Sequence, residues 1–198
     1  RKVAIKVMSK RKQGWNLRFE VERRAMARLD HPNIVQPYSF EENDQYYCLV
    51  MRHVDGYSLQ DLVDQSGDYQ SRIMATRLRN DWNLFASMAA DAADAIAHAH
   101  GQGIIHRDLK PSNLLIDRDF KIWITDFGLT KLVNEDLSLS RTGDVVGTPR
   151  FMAPEQFHGD CDERSDVYSL GLTLYAVSTV CSNLESSTVP RSADFWNL

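Results

Sequence analysis

The chain has little cysteine: only Cys48, Cys161 and Cys181 among 198 residues, far apart and with no CxxC spacing. This excludes a disulfide framework, suggests no zinc site, and fits a reducing compartment. Positive charge is not in excess, because 23 Lys and Arg face 27 Asp and Glu for a net charge of -4. A chain-wide basic footprint is thereby excluded, and no nucleic-acid partner is expected. Long hydrophobic runs are also missing. The longest, 170–181, is broken by Thr173, Ser178 and Thr179 and falls short of the roughly 20 apolar residues of a spanning helix. No membrane segment is expected within the chain and a cytoplasmic location is, with any anchor lying outside this stretch. No internal repeat or low-complexity segment occurs. With 43% hydrophobic and 25% charged residues, the composition is that of an ordinary globular chain. The length fits one domain, or one built from two lobes.

Periodicity divides the chain. Val3 to Met8 alternates as a strand does, with Val3, Ile5 and Val7 on one face and Ala4, Lys6 and Met8 on the other. After a basic turn, which is most simply solvated, residues 15–29 read as a helix with Phe19, Met26 and Leu29 on one stripe and Glu22 among them. Strand-like runs follow at 34–40 and 46–51 around a polar turn, completing a small β-rich unit with one helix. From Ser58 the pattern turns helical. A long helix is predicted from about Asn80 to His100, with Leu84, Phe85, Met88, Ala92, Ile96 and Ala99 as its stripe and Gly101 and Gly103 ending it. Short strands are predicted at 114–116 and 121–124, then a polar loop of almost thirty residues from Asp126, then an apolar helix over 165–181. A loop that long inside a compact domain is usually functional. His98 and His100 lie two apart on a helix, hence on different sides, and read as structural.

The chemistry concentrates in His106-Arg107-Asp108-Leu109-Lys110-Pro111-Ser112-Asn113, which joins a helix to a strand, and in Asp126-Phe127-Gly128, which follows a strand. With Val3-Ala4-Ile5-Lys6, Gly147-Thr148-Pro149, Ala153-Pro154-Glu155 and the stretch from Asp166 to Gly171, these stand in the order and spacing of the protein-kinase signature set. From Val3 to about Tyr175 the chain resembles serine/threonine protein kinases of the eukaryotic type, bacterial members included. The resemblance implies an α+β, two-lobed kinase-like fold truncated at both ends. Residues 1–54 would form a partial small lobe with the hinge, and 55–198 a partial large lobe carrying the catalytic loop and activation segment. The glycine-rich loop would precede Val3 and further helices would follow, so the chain alone is expected to be weakly active or inactive.

What the resemblance implies for the site agrees with the physics of phosphoryl transfer, in which the protein mainly positions groups and offsets charge. Lys6 would grip the α- and β-phosphates of ATP, and Glu22 would pair with it. A carboxylate on an apolar stripe is costly without a cation, and the family's spacing back from His31 selects Glu22 over Glu20. Asp108 would accept the proton of a Ser or Thr hydroxyl on a protein substrate, and Lys110 would touch the γ-phosphate. Asn113 and Asp126 would hold Mg2+, a hard cation that prefers oxygen. Ala4 and Leu115 would sandwich adenine, Met51 would stand at the back of that pocket, and the backbone of Arg52, His53 and Val54 would bond the ring. Met26, His106, Phe127 and Pro37 would form an apolar column between the lobes, and Asp166 would fix the catalytic loop. Arg107 would receive a phosphate placed on the activation segment, with Thr142 preferred over Ser138 and Ser140, while Thr148 would bond Asp108 and Lys110. Glu155 would lack the arginine that normally pairs with it.

Two other classes compete with a protein kinase: a non-catalytic scaffold that has lost phosphoryl transfer, and a small-molecule kinase of the aminoglycoside type. Intact Lys6, Asp108, Asn113 and Asp126 weigh against the first. Lys110 with Asp126-Phe127-Gly128 and Ala153-Pro154-Glu155 weighs against the second.

Overall fold

Strand alternation sets up the first sheet. In β1 (Val3–Ser9), Ala4, Lys6 and Met8 turn inward while Val3, Ile5 and Val7 stay exposed, the period of a strand covered on one face. The computed structural model describes residues 2–10, 26–64, 68–127 and 149–181. β1 pairs antiparallel with β3 (Tyr46–Arg52), and β3 with β2 (Pro37–Glu42), in the order β1-β3-β2. The register sets Ala4 opposite Met51 and Lys6 opposite Leu49. The strand expected from residue 34 begins instead at Pro37 and runs on to Glu42. The turn is closed by Asn43, whose Oδ1 accepts the N–H groups of Gln45 and Tyr46 at 2.9 and 2.8 Å, a local bond that asparagine makes readily. Of the helix expected over 15–29, residues 11–25 lie outside the described residues; Met26 and Leu29 at its end are buried.

A second antiparallel sheet, order β4-β5-β6, joins β4 (Gly56–Ser58), β5 (Leu114–Asp117) and β6 (Ile122–Ile124). β4 lies so close to β5 that a Cβ on Gly56 would collide with the Ile116 carbonyl oxygen, which is why a residue without a side chain stands there. Ser58 then caps α1 (Leu59–Val63) through a reciprocal box with Asp61.

Two helices occupy 69–101 where the pattern predicts one from about Asn80. α2 (Tyr69–Asn80) and α3 (Trp82–Gly101) meet at Asp81, whose non-helical backbone (φ -125, ψ 88) breaks the run while its side chain accepts the Leu84 N–H at 3.0 Å. One aspartate thus ends one helix and caps the next. α3 buries Phe85, Met88, Ala92, Ala95, Ile96 and Ala99, nearly the stripe expected. α4 (Glu163–Cys181) packs against α1, α2 and α3. Among the described residues no helix is long and apolar enough to cross a membrane.

One core runs through both halves, from Met8, Tyr47 and Leu49 through Ile34 and Phe127 to Ile116, Ile96, Leu170 and Val177. The halves are also joined through the backbone. Ile34 forms a parallel bridge to Ile124, with Ile124 N–H to Asn33 O at 2.7 Å and Val35 N–H to Ile124 O at 2.8 Å, and the Asn33 amide donates to Ile122 O at 2.8 Å.

Candidate active site

The site begins where α3 runs out. Beyond Gly103 the chain turns into His106-Arg107-Asp108, and Arg107 sits in the left-handed region at φ 69, which a residue with a Cβ occupies only when its surroundings hold it there. The holder is Asp166 on the first turn of α4, 1% exposed. Its Oδ2 accepts the His106 N–H at 2.7 Å and its Oδ1 the Arg107 N–H at 2.8 Å. His100, near the end of α3, places Nε2 2.8 Å from the same carboxylate. Asp166 is therefore the buried acid that fixes this loop, and His100 is structural, as expected.

His106 is buried beneath the loop, its ring 4.6 Å from that of Phe127 between centroids. Nε2 lies 2.9 Å from the Thr125 carbonyl oxygen, which can only accept, so the ring proton is on Nε2 and Nδ1 is free to accept the Asp108 N–H at 3.3 Å. Burial, opposed by Asp166, lowers the imidazole pKa below its usual 6.5. The fold thus favours the neutral ring while the unfolded chain takes up a proton near 6.5. The stability contributed is full above that pH and is lost as pH falls below it. Thermal midpoints from about pH 8 down to about pH 5 should fall more steeply for the native chain than for His106→Phe, which cannot titrate. Parallel curves would contradict this.

Asp108 and its neighbours converge. Lys110 Nζ donates to Asp108 Oδ2 at 2.8 Å, and the Asn113 amide nitrogen donates to the Asp108 carbonyl at 2.8 Å and to Oδ2 at 3.2 Å. Asn113 is buried, at the end of the 3-10 turn Pro111–Asn113. Its nitrogen is committed to a carbonyl, so its Oδ1, which accepts the Ser112 hydroxyl at 3.5 Å, is the end that can serve as an oxygen ligand. Thr125 N–H bonds the Asn113 carbonyl at 3.0 Å, tying the loop to the residue before Asp126. Asp126 itself has φ 66 and accepts the Lys6 ammonium at 2.7 Å, with both side chains about a quarter exposed (29% and 24%). The ammonium of β1 and the carboxylate after β6 thus meet between the two sheets.

Asp108, Lys110 and Asn113 accordingly form one cluster and Lys6 and Asp126 a pair, the two joined by the Thr125 N–H on the Asn113 carbonyl. Glu22, its expected pairing with Lys6, and the hydroxyls of Ser138, Ser140, Thr142 and Thr148 lie outside the described residues. Ala4 and Met51 face each other across β1 and β3, and Thr125 Oγ1 lies 3.8 Å from Met51 Sδ. Leu115 is half-buried on β5. Arg52 and His53 are exposed and Val54 half-buried. The Arg52 N–H donates to Gln36 O at 3.0 Å, so this group is not open to a ligand, while the Arg52 guanidinium stacks over Trp123 at 4.3 Å with Lys121 Nζ 4.5 Å from the same ring. Three contacts escape the sequence reading. Trp123 lies under the Arg52 guanidinium at the end of β3, the Gln156 amide donates to the Arg107 carbonyl at 3.2 Å, and Glu155 accepts the Ser165 hydroxyl at 2.6 Å. Each joins residues distant in the chain and carries no local pattern.

Two lysines, two carboxylates and an amide, gathered where the first sheet meets the larger half, are the kinds of group that phosphoryl transfer employs. The protein kinase domain family matches residues 1–193, and the chain belongs to that family. It is similar to the serine/threonine-protein kinase PknB of Mycobacterium leprae (36% identity over 187 residues, 90% of this chain and 28% of that protein). Similarity extends to the serine/threonine-protein kinase PrkC of Bacillus subtilis (33% over 194 residues, 91% and 28%). The chain therefore spans about 28% of the length of these relatives. Among solved structures, Rad53 1-466 in complex with AMP-PNP superimposes with a TM-score of 0.64 at 29% identity, covering 89% of this chain and 41% of that one.

Proposed function

We propose that this chain is the catalytic part of a serine/threonine protein kinase, transferring the γ-phosphoryl group of ATP to Ser and Thr hydroxyls of protein substrates in signalling. The observation that carries the reading is Asp108 held at 2.8 Å by Lys110 and bonded by Asn113, with Asp126 of the same half paired at 2.7 Å to Lys6 of the first sheet. Asp108 accepts the hydroxyl proton, and Lys110 stabilises both that carboxylate and charge on the γ-phosphate. Lys6 grips the α- and β-phosphates, with Glu22 as its second partner. Ala4, Leu115 and Met51 enclose adenine against the backbone of 52–54, where the Arg52 carbonyl and the groups of His53 and Val54 bond the ring.

Asn113 Oδ1 and the Asp126 carboxylate suit Mg2+. Both are hard oxygen donors, and two protein ligands accord with a cation that takes its remaining ligands from water and phosphate. Among the described residues no group of three or more His, Cys, Asp or Glu gathers as for an all-protein metal cage. Mg2+ supplies positive charge against the phosphates. A division into a small lobe (1–54) and a large lobe (55–198) is supported by the first sheet ending at Arg52 and β4 beginning at Gly56. The catalytic domain is placed in the cytoplasm, with any anchor elsewhere in the protein.

The test is transfer from radiolabelled ATP by the full-length protein to a generic basic protein, followed by phosphoamino-acid analysis. Phosphoserine and phosphothreonine are expected. Label appearing only on small-molecule acceptors would favour an aminoglycoside-type kinase, and ATP binding without transfer would favour the scaffold.

A further inference from the structure

We propose that Gln156 is a positioning residue for phosphoryl transfer, its side-chain amide fixing the peptide that precedes Asp108 and so linking the turn at 154–158 to the catalytic loop. The inference deepens the kinase reading and rests on Asp108 being the proton acceptor. Gln156 is buried, in the 3-10 turn Pro154–His158. Its oxygen accepts the Ala153 N–H at 2.9 Å, and its nitrogen donates to the Arg107 carbonyl at 3.2 Å and to Cys161 Sγ at 3.4 Å. Every polar group of the amide is used, and one contact reaches back 49 residues.

The reach matters because of where it lands. Arg107 is left-handed; its N–H is held by Asp166 and its carbonyl by Gln156. That carbonyl belongs to the same rigid peptide unit as the Asp108 N–H, whose own bond to His106 Nδ1 is long at 3.3 Å. The orientation of this unit sets where the Asp108 carboxylate stands relative to Lys110 and Asn113. A glutamine is suited to the place because one planar group both accepts and donates. Glutamate keeps the acceptor but sets a lone pair against the Arg107 carbonyl, and leucine keeps the volume but loses both functions. A glutamine serving only its own turn needs the Ala153 bond and not the one to Arg107.

The experiment compares Gln156→Glu and Gln156→Leu with the parent in the full-length protein. In both, kcat per folded molecule should fall about tenfold or more while the KM for ATP stays within about twofold, since Lys6 and the adenine contacts are untouched. Amide hydrogen exchange at Arg107 and Asp108 should quicken about tenfold in Gln156→Glu with Ala153 still protected. A fall in thermal midpoint with unchanged kcat per folded molecule would reduce Gln156 to a structural role and overturn the proposal. Should the parent transfer no phosphate, the kinase reading fails and the role in phosphoryl transfer falls with it, while exchange at Arg107 and Asp108 separately decides whether Gln156 holds that peptide: unaltered exchange there in Gln156→Glu overturns the proposal whatever the activity.

Discussion

Asp108→Asn is expected to lower phosphoryl transfer by about 10³-fold or more, roughly 4 kcal/mol of barrier, while leaving ATP affinity within a few-fold of the parent. An asparagine has nearly the shape of the aspartate, so the loop pinned by Asp166 is undisturbed. It cannot take a proton from the substrate hydroxyl, and it removes the negative charge that Lys110 meets at 2.8 Å. The groups assigned to adenine and to the α- and β-phosphates stand on β1, β3 and β5 and just after β3; of the groups assigned to ATP and Mg2+, only Lys110 and Asn113 bond the Asp108 carboxylate. Label transfer and nucleotide binding measured on the same preparation separate the two effects. Transfer at the parental rate would remove Asp108 from the chemistry.

Asp166→Ala should have the largest effect on folding. The carboxylate is almost fully buried and meets three donors from the loop and α3, the N–H groups of His106 and Arg107 and the ring of His100. Alanine leaves all three unsatisfied where water is excluded, at a cost of about 3 to 5 kcal/mol in total. That is a large part of the stability of an ordinary domain. It also frees Arg107 from its left-handed geometry, so activity should fall by more than the folded fraction does. Urea titration of parent and variant gives the figure, and a loss below about 1 kcal/mol would show that the loop is held by other means.

The candidate site residues were legible because each stands in a short stretch whose neighbours repeat the family's order, and β1 because its alternation puts Lys6 on the inner face with Ala4 and Met8. The helix α2 was not. Only Ser71, Met74 and Leu78 of its twelve residues are buried, too thin a stripe to stand out, although Asp68 and Asp81 at its ends are ordinary cap residues that would have marked it. Strand β2 was misplaced because Ile34 and Val35 look like strand but spend their backbone on Ile124, in the other sheet. The contacts made by Lys6, Gln156, Glu155 and Trp123 belong to the same class: they depend on which distant segments meet, which a single chain read in order does not display.

The backbone seam at Asn33 to Val35 ties residues 33–35 of the small lobe to β6 of the larger half, even though they precede β2. The small sheet is then a lever whose fulcrum lies near Gln36 and Arg52, at the base of β1 where Val3 faces Arg52. Lys6 sits three residues along that arm, about 10 Å at 3.3 Å per residue, so a tilt of about ten degrees carries its ammonium by about 2 Å. That is enough to part it from Asp126, 2.7 Å away. Such a rotation at the fulcrum would change the Lys6–Asp126 distance first, while the bonds among Asp108, Lys110 and Asn113, all on the far side of the seam, would be unaltered.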